Sequence, residues 1–288
     1  MIHHLKDKTP FIQILILLSI GVVSIFVLSI ICTSTIAYLY PEITSVSPQL
    51  QMEKYPVQYV IGNYLPFQIG LFLVPGLLYM RFKNKNEKQQ KPTVVITTYI
   101  WSFLLFMLLF CLLPFLTAVN SFILDSLGML EIILEETINY NQSLHFLIGP
   151  FASNTSFTIA LLVIGLIVPI CEELFFRGFI LSHVAKTREN NWIGVLVSAS
   201  IFTLLHLNWY QFLPILCFGI ALGVIYVLTQ SLLPGIILHA LNNSVNVLWT
   251  RYDNIPTYLE NYQPLLSTIL IILLVCLFAV YHKQLKLK

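Results

Sequence analysis

Pro169-Ile170-Cys171-Glu172-Glu173-Leu174-Phe175-Phe176-Arg177 sets two carboxylates and a guanidinium inside a run that otherwise reads as membrane-buried. A charged side chain near a bilayer centre costs about 2.5–3.5 kcal/mol on insertion scales, so three in one helix must be paired, used, or both. On an α-helix Glu173 and Arg177 stand four residues apart with the acid first, the favourable order for an ion pair on one face. Glu172 projects about 100° away from Glu173. The stretch therefore predicts a division of labour in which Glu173 and Arg177 neutralise one another and Glu172 remains free for chemistry.

Outward from this stretch, 57% of the 288 residues are hydrophobic and 10% are charged, where a soluble domain carries about 25% charge. That is the composition of an integral membrane protein. The apolar runs are continuous rather than alternating, which excludes a β-barrel and predicts an all-α polytopic bundle. With about 20 apolar residues per crossing, eight spans fit, near 11–38, 58–80, 94–118, 155–182, 192–207, 211–230, 233–250 and 264–281. Residues 1–288 then form a single membrane domain, with three N-terminal spans in 1–119, a four-span core at 155–250 and a last span at 264–281. The charged start at Lys6 and Lys8 precedes an apolar run too long for a signal peptide, so the first span is expected to be retained.

The basic residues divide unevenly across such a topology. With the N-terminus inside, Lys6, Lys8, Arg81, Lys83, Lys85, Lys88, Lys91, Lys186, Arg188, Lys283, Lys286 and Lys288 face the cytoplasm, and Lys54 and Arg251 face outward. This split predicts cytoplasmic N- and C-termini. Between the third and fourth spans, Ile123, Leu127, Leu130, Ile133 and Leu134 recur at helical spacing among acids, which predicts an amphipathic surface helix near 121–138. The five cysteines sit in apolar runs without CxxC spacing, so neither a disulfide framework nor a thiolate metal site is indicated. A formal charge of +2 gives no basis for nucleic-acid binding.

Polar residues gather again in the second half. Pro169 precedes Glu172 by one helical turn, and a proline within a span frees a backbone carbonyl and bends the helix. Phe202-Thr203-Leu204-Leu205-His206 falls in the fifth span, and His239-Ala240-Leu241-Asn242-Asn243 follows Pro234-Gly235 in the seventh. His239 and Asn243 share a helix face. Two histidines and an asparagine on neighbouring helices beside an unpaired glutamate point to a site rather than to core histidines.

Glu-Glu-x-x-x-Arg at Glu172–Arg177, Phe-x-x-x-His at Phe202–His206 and His-x-x-x-Asn at His239–Asn243, in that order and in three spans, resemble the motifs of the CAAX prenyl endopeptidases and their bacterial relatives, the CPBP or Abi intramembrane proteases. The resemblance covers about Thr155–Trp249. It implies that Glu172 and His206 hold and activate a water, that His239 and Asn243 stabilise the oxyanion, and that Glu173 and Arg177 support them. Glu172, His206 and His239 also resemble a three-ligand set for zinc or another divalent metal, with an open position for water; no cofactor follows with certainty.

The expected function is thus an intramembrane endopeptidase, of glutamate or metal-dependent type, cutting a membrane-embedded or lipid-anchored protein or peptide. Short loops and the lack of a retention tail point to a bacterial plasma membrane. A catalytically silent scaffold, such as a bacteriocin-immunity protein, is the alternative. An ion- or proton-coupled transporter is disfavoured, because the polar residues sit at one depth and no inverted repeat is visible.

Overall fold

The computed structural model describes residues 9–82, 96–149 and 152–252, and among them there is no strand. Continuous apolar sequence with few helix breakers gives α1 (Pro10–Leu39), α2 (Pro56–Arg81), α3 (Ile96–Ser126), α4 (Leu130–Ile148), α5 (Asn154–Arg188), α6 (Asn191–Leu205), α7 (Phe212–Thr229) and α8 (Leu233–Arg251). The starts carry the expected signals. Proline opens α1 and lies in the first turn of α8, where no N–H is required. Ser153 caps α5 by accepting from Ser156 N at 3.0 Å, and the Asn190 side chain caps α6 by accepting from Trp192 N and Ile193 N.

Among the described residues, five helices are long and apolar enough to cross a membrane: α1, α2, α3, α5, and α7 together with the turn before it. Eight spans were expected, and the difference has physical causes. At 15 residues, α6 is about 22 Å long, short of a hydrocarbon core of about 30 Å. Helix α8 has the length, but His239, Asn242, Asn243 and Asn246 make one face polar. The expected span at 264–281 lies outside the described residues. The surface helix is also displaced: 121–126 continues α3, and the amphipathic segment is α4, beginning at Leu130 after the left-handed Gly128.

Close backbone crossings hold the bundle together. A Cβ on Gly76 of α2 would lie 3.0 Å from the carbonyl carbon of Leu174, and one on Gly194 of α6 would lie 2.8 Å from Leu181 O. In lipid, where helices gain little by hiding apolar surface from each other, such small-residue contacts supply dispersion and bring backbones together. An aromatic core of Phe72, Phe175, Phe176, Phe179, Phe202 and Phe218 fills the space between α2, α5, α6 and α7. Helix α1 lies along α2 and leaves Phe26 and Ile30 more than 60% exposed, as befits a hydrocarbon-facing helix.

Two stretches of α5, Val163–Ile167 and Leu174–Leu181, widen into π-helical turns, as do Val60–Tyr64 and Gln68–Leu73 in α2. Such turns shift the register of the side chains that follow and recur at functional sites. Here they flank Glu172 and Glu173.

Candidate active site

Arg177 and Glu173 are buried to 0% and 1% exposure. Arg177 Nη1 donates to Glu173 Oε1 at 2.6 Å, and Nη2 donates to Gly219 O on α7 at 2.8 Å. The guanidinium carbon also lies 5.0 Å from the Phe202 ring centre. Removing both charges from water is costly, and further hydrogen bonds to the pair offset part of that cost, although Arg177 Nε has no partner among the described residues. Glu173 gains one such bond from α8: its Oε1 stands 3.0 Å from His239 Nδ1. Gly235 permits that approach, since a Cβ there would lie 3.0 Å from Glu173 Oε2.

Because a carboxylate accepts, the network assigns the imidazole hydrogen to His239 Nδ1 and leaves Nε2 as the free ring position. Nε2 lies 3.7 Å from Glu172 Oε2, outside hydrogen-bond length. Glu173 therefore does more than neutralise Arg177. It links the cation to the imidazole and orients the ring toward Glu172.

His206 is held differently. Its Nδ1 lies 2.7 Å from Phe202 O, and only the imidazole can donate in that pair, so Nε2 is again the free position. The ring packs 4.4 Å from Phe202, which in turn lies 5.8 Å from the His239 ring. Phe202 is thus the spacer between both imidazoles and Arg177. Leu207 follows in the left-handed region at φ 50°, turning the chain out of α6. A leucine there costs about 1–3 kcal/mol and needs surrounding structure to hold it.

Asn120 of α3 supplies that support. Its Nδ2 donates to Trp209 O and Tyr210 O at 2.9 and 3.0 Å, and its Oδ1 accepts from Leu213 N at 3.2 Å. Asn120→Leu would remove all three bonds, leaving Trp209 O with Phe212 N–H alone. It is expected to lower stability by about 1–3 kcal/mol, measured as a fall in melting temperature in detergent; an unchanged melt would show that the clamp contributes nothing.

Asn243 lines the same region for a reason traceable to Pro169. Val168 N–H bonds to Val163 O in the π register; the next residue, Pro169, has no N–H, so Ile164 O lacks its helical donor. Asn243 Nδ2 donates to Ile164 O at 3.1 Å. One N–H is thereby committed, and the amide is fixed in orientation.

A cavity of about 760 Å³ opens between α3, α6, α7 and α8, with His206, His239, Asn242, Asn243 and Asn246 on its polar wall. Phe110, Pro114, Phe218 and Trp249 are among its apolar lining. The structure thus brings His206, His239 and Asn243 to one cavity. Glu172, at 5% exposure, is not among the lining residues and meets the site through His239. Among the described residues no group of three His, Cys, Asp or Glu side chains is arranged to hold a metal ion. In the set expected as metal ligands, His206 and His239 each commit Nδ1 and leave Nε2 free, as metal-bound histidines also do, and Glu172 Oε2 lies 3.7 Å from His239 Nε2. Asn242 and Asn246 were missed, though their spacing of three and seven residues from His239 places them on its face.

This is an all-α polytopic membrane protein with a polar cavity walled by its helices. Residues 154–245, about a third of the chain, match the family described as Type II CAAX prenyl endopeptidase Rce1-like, which supports the CAAX-protease resemblance. The match begins with α5 and ends two residues beyond Asn243. No curated protein and no solved structure matches the chain. The match supports a CAAX-type intramembrane protease at family level and does not favour the transporter or scaffold readings.

Proposed function

We propose that the protein is an intramembrane endopeptidase that hydrolyses a peptide bond in a membrane-embedded or lipid-anchored protein or peptide. The observation that carries this reading is the approach of His239 Nε2 to the buried Glu172 carboxylate at 3.7 Å, on a cavity shared with His206 and Asn243. Glu172 and His206 Nε2 accept hydrogens from a water and direct its oxygen at the scissile carbonyl. Glu172 takes the proton as the C–O bond forms, then returns it to the amine nitrogen as the C–N bond breaks. The second N–H of Asn243 faces the developing oxyanion, and so does His239, which donates from Nε2 only as the imidazolium; one well-placed donor contributes about 3–4 kcal/mol. Catalytic geometry tightens when substrate binds, so a 3.7 Å contact without substrate fits this role.

The apolar lining accommodates a hydrophobic or lipidated segment, and the asparagines meet its peptide groups. Both termini and the basic segment 83–91 are taken to face the cytoplasm of a bacterial cell. Comparing the membrane proteome of cells carrying the natural protein or Glu172→Gln tests the reading. A membrane protein that accumulates uncut only with the variant is the expected result; proteomes that match, or a cellular phenotype that survives the substitution, would favour a scaffold.

A further inference from the structure

Helices α2 and α5 run parallel, and their ring contacts fix the register between them. Tyr79 lies 4.8 Å from Phe179 and 5.6 Å from His183, while Phe72 lies 5.2 Å from Phe175 and 5.4 Å from Phe176. Between these levels Gly76 touches the backbone of Leu174 and Phe175. One turn before Phe72 on the same face stands Gln68, and one turn before Phe175 and Phe176 stand Cys171 and Glu172. The π-helical turn Gln68–Leu73 packs against Val168–Glu173. Gln68 is 4% exposed, and its Oε1 has no hydrogen-bond partner among the described residues. Buried carboxamides in lipid are kept where they are used, because an unpaired carbonyl there is unfavourable.

We infer that Gln68 is a positioning residue for Glu172: its side-chain oxygen accepts a hydrogen bond from the Glu172 carboxyl once that group has taken the proton of the attacking water. This rests on the endopeptidase reading above. The bookkeeping closes within the site. The water's O–H bond breaks, the proton passes to Glu172 and is held there against Gln68 Oε1, and it leaves to the amine nitrogen when the C–N bond breaks. Gln68 lies outside the segment 154–245 that matches the protease family, so the assignment links the N-terminal helices to the chemistry.

Infrared spectroscopy of the full chain in proteoliposomes, titrated with acid until Glu172 holds a proton, tests this without a substrate. The protonated Glu172 carboxyl band is identified as the one that Glu172→Gln removes. In Gln68→Leu, which keeps the bulk and removes the acceptor, that band is expected to shift to higher frequency. Gln51→Leu, a change at a glutamine bonded to Ile43 and Val46 carbonyls, is expected to leave it in place. With a peptide ending in farnesylcysteine and three further residues as the probe, Gln68→Leu should lower kcat by about 10- to 100-fold with little change in KM. Its melting temperature should stay equal or rise, since an unpaired buried carbonyl is removed. An unmoved band, an unchanged kcat, or a melting temperature that falls with activity overturns the inference. Natural protein that leaves this peptide intact counts against the substrate reading alone, because the band still decides the role of Gln68.

Discussion

Glu173→Ala is expected to destabilise the protein by about 3–5 kcal/mol, because it strands Arg177 as an unpaired buried cation. Arg177 is 0% exposed and keeps Gly219 O and the faces of Phe176 and Phe202 when Glu173 is gone. The same substitution releases His239 Nδ1, so activity should fall further than stability explains. Glu173→Leu combined with Arg177→Met separates the two effects. Replacing both members of a buried pair with apolar side chains is often neutral or stabilising. The double variant should therefore regain much of the lost stability in a denaturant or thermal melt while hydrolysis stays low, since nothing then orients the imidazole. A double variant that recovered activity along with stability would reduce Glu173 to a counterion.

The second large effect falls on chemistry. Glu172→Gln keeps the shape of the side chain but removes its capacity to take a proton, and a general base contributes about 10²–10⁴-fold to rate. His206→Ala removes the second acceptor facing the water and should cost a comparable factor. Residues that act on one water act as a unit, so the double variant should be scarcely slower than the worse single. Factors that multiply would mean that Glu172 and His206 serve separate steps. Neither substitution is expected to move the melting temperature as Glu173→Ala does, because the hydrogen bonds that hold Arg177 run to Glu173 and Gly219 and not to either residue.

How much of this was legible beforehand follows from the range of each interaction. Glu173 and Arg177 form a local pair, so helical periodicity sufficed to join them. The bond from Glu173 to His239 spans 66 residues and depends on Gly235 letting α8 approach, which no periodicity encodes. Membrane class was plain from composition, yet the number of crossings was not: the polar face of α8 lowers its hydropathy because that face lines the cavity. The boundary between α3 and α4 shifted for a similar reason, since Ile123 and Leu127 share the helical spacing of Leu130 and Ile133 while Gly128 interrupts the backbone. Asn120 and Gln68 carried no readable signal, because one polar residue in an apolar helix shows its purpose only through what packs against it.

The most direct measurement follows oxygen from solvent into product. Membranes holding the natural protein or Glu172→Gln are incubated with a membrane-anchored peptide in water enriched in heavy oxygen, and the products are read by mass spectrometry. One heavy oxygen in the new C-terminal carboxylate, seen with the natural protein and lost with Glu172→Gln, is the predicted result. Cleavage that continues undiminished in Glu172→Gln would contradict the assignment of that buried carboxylate as the base.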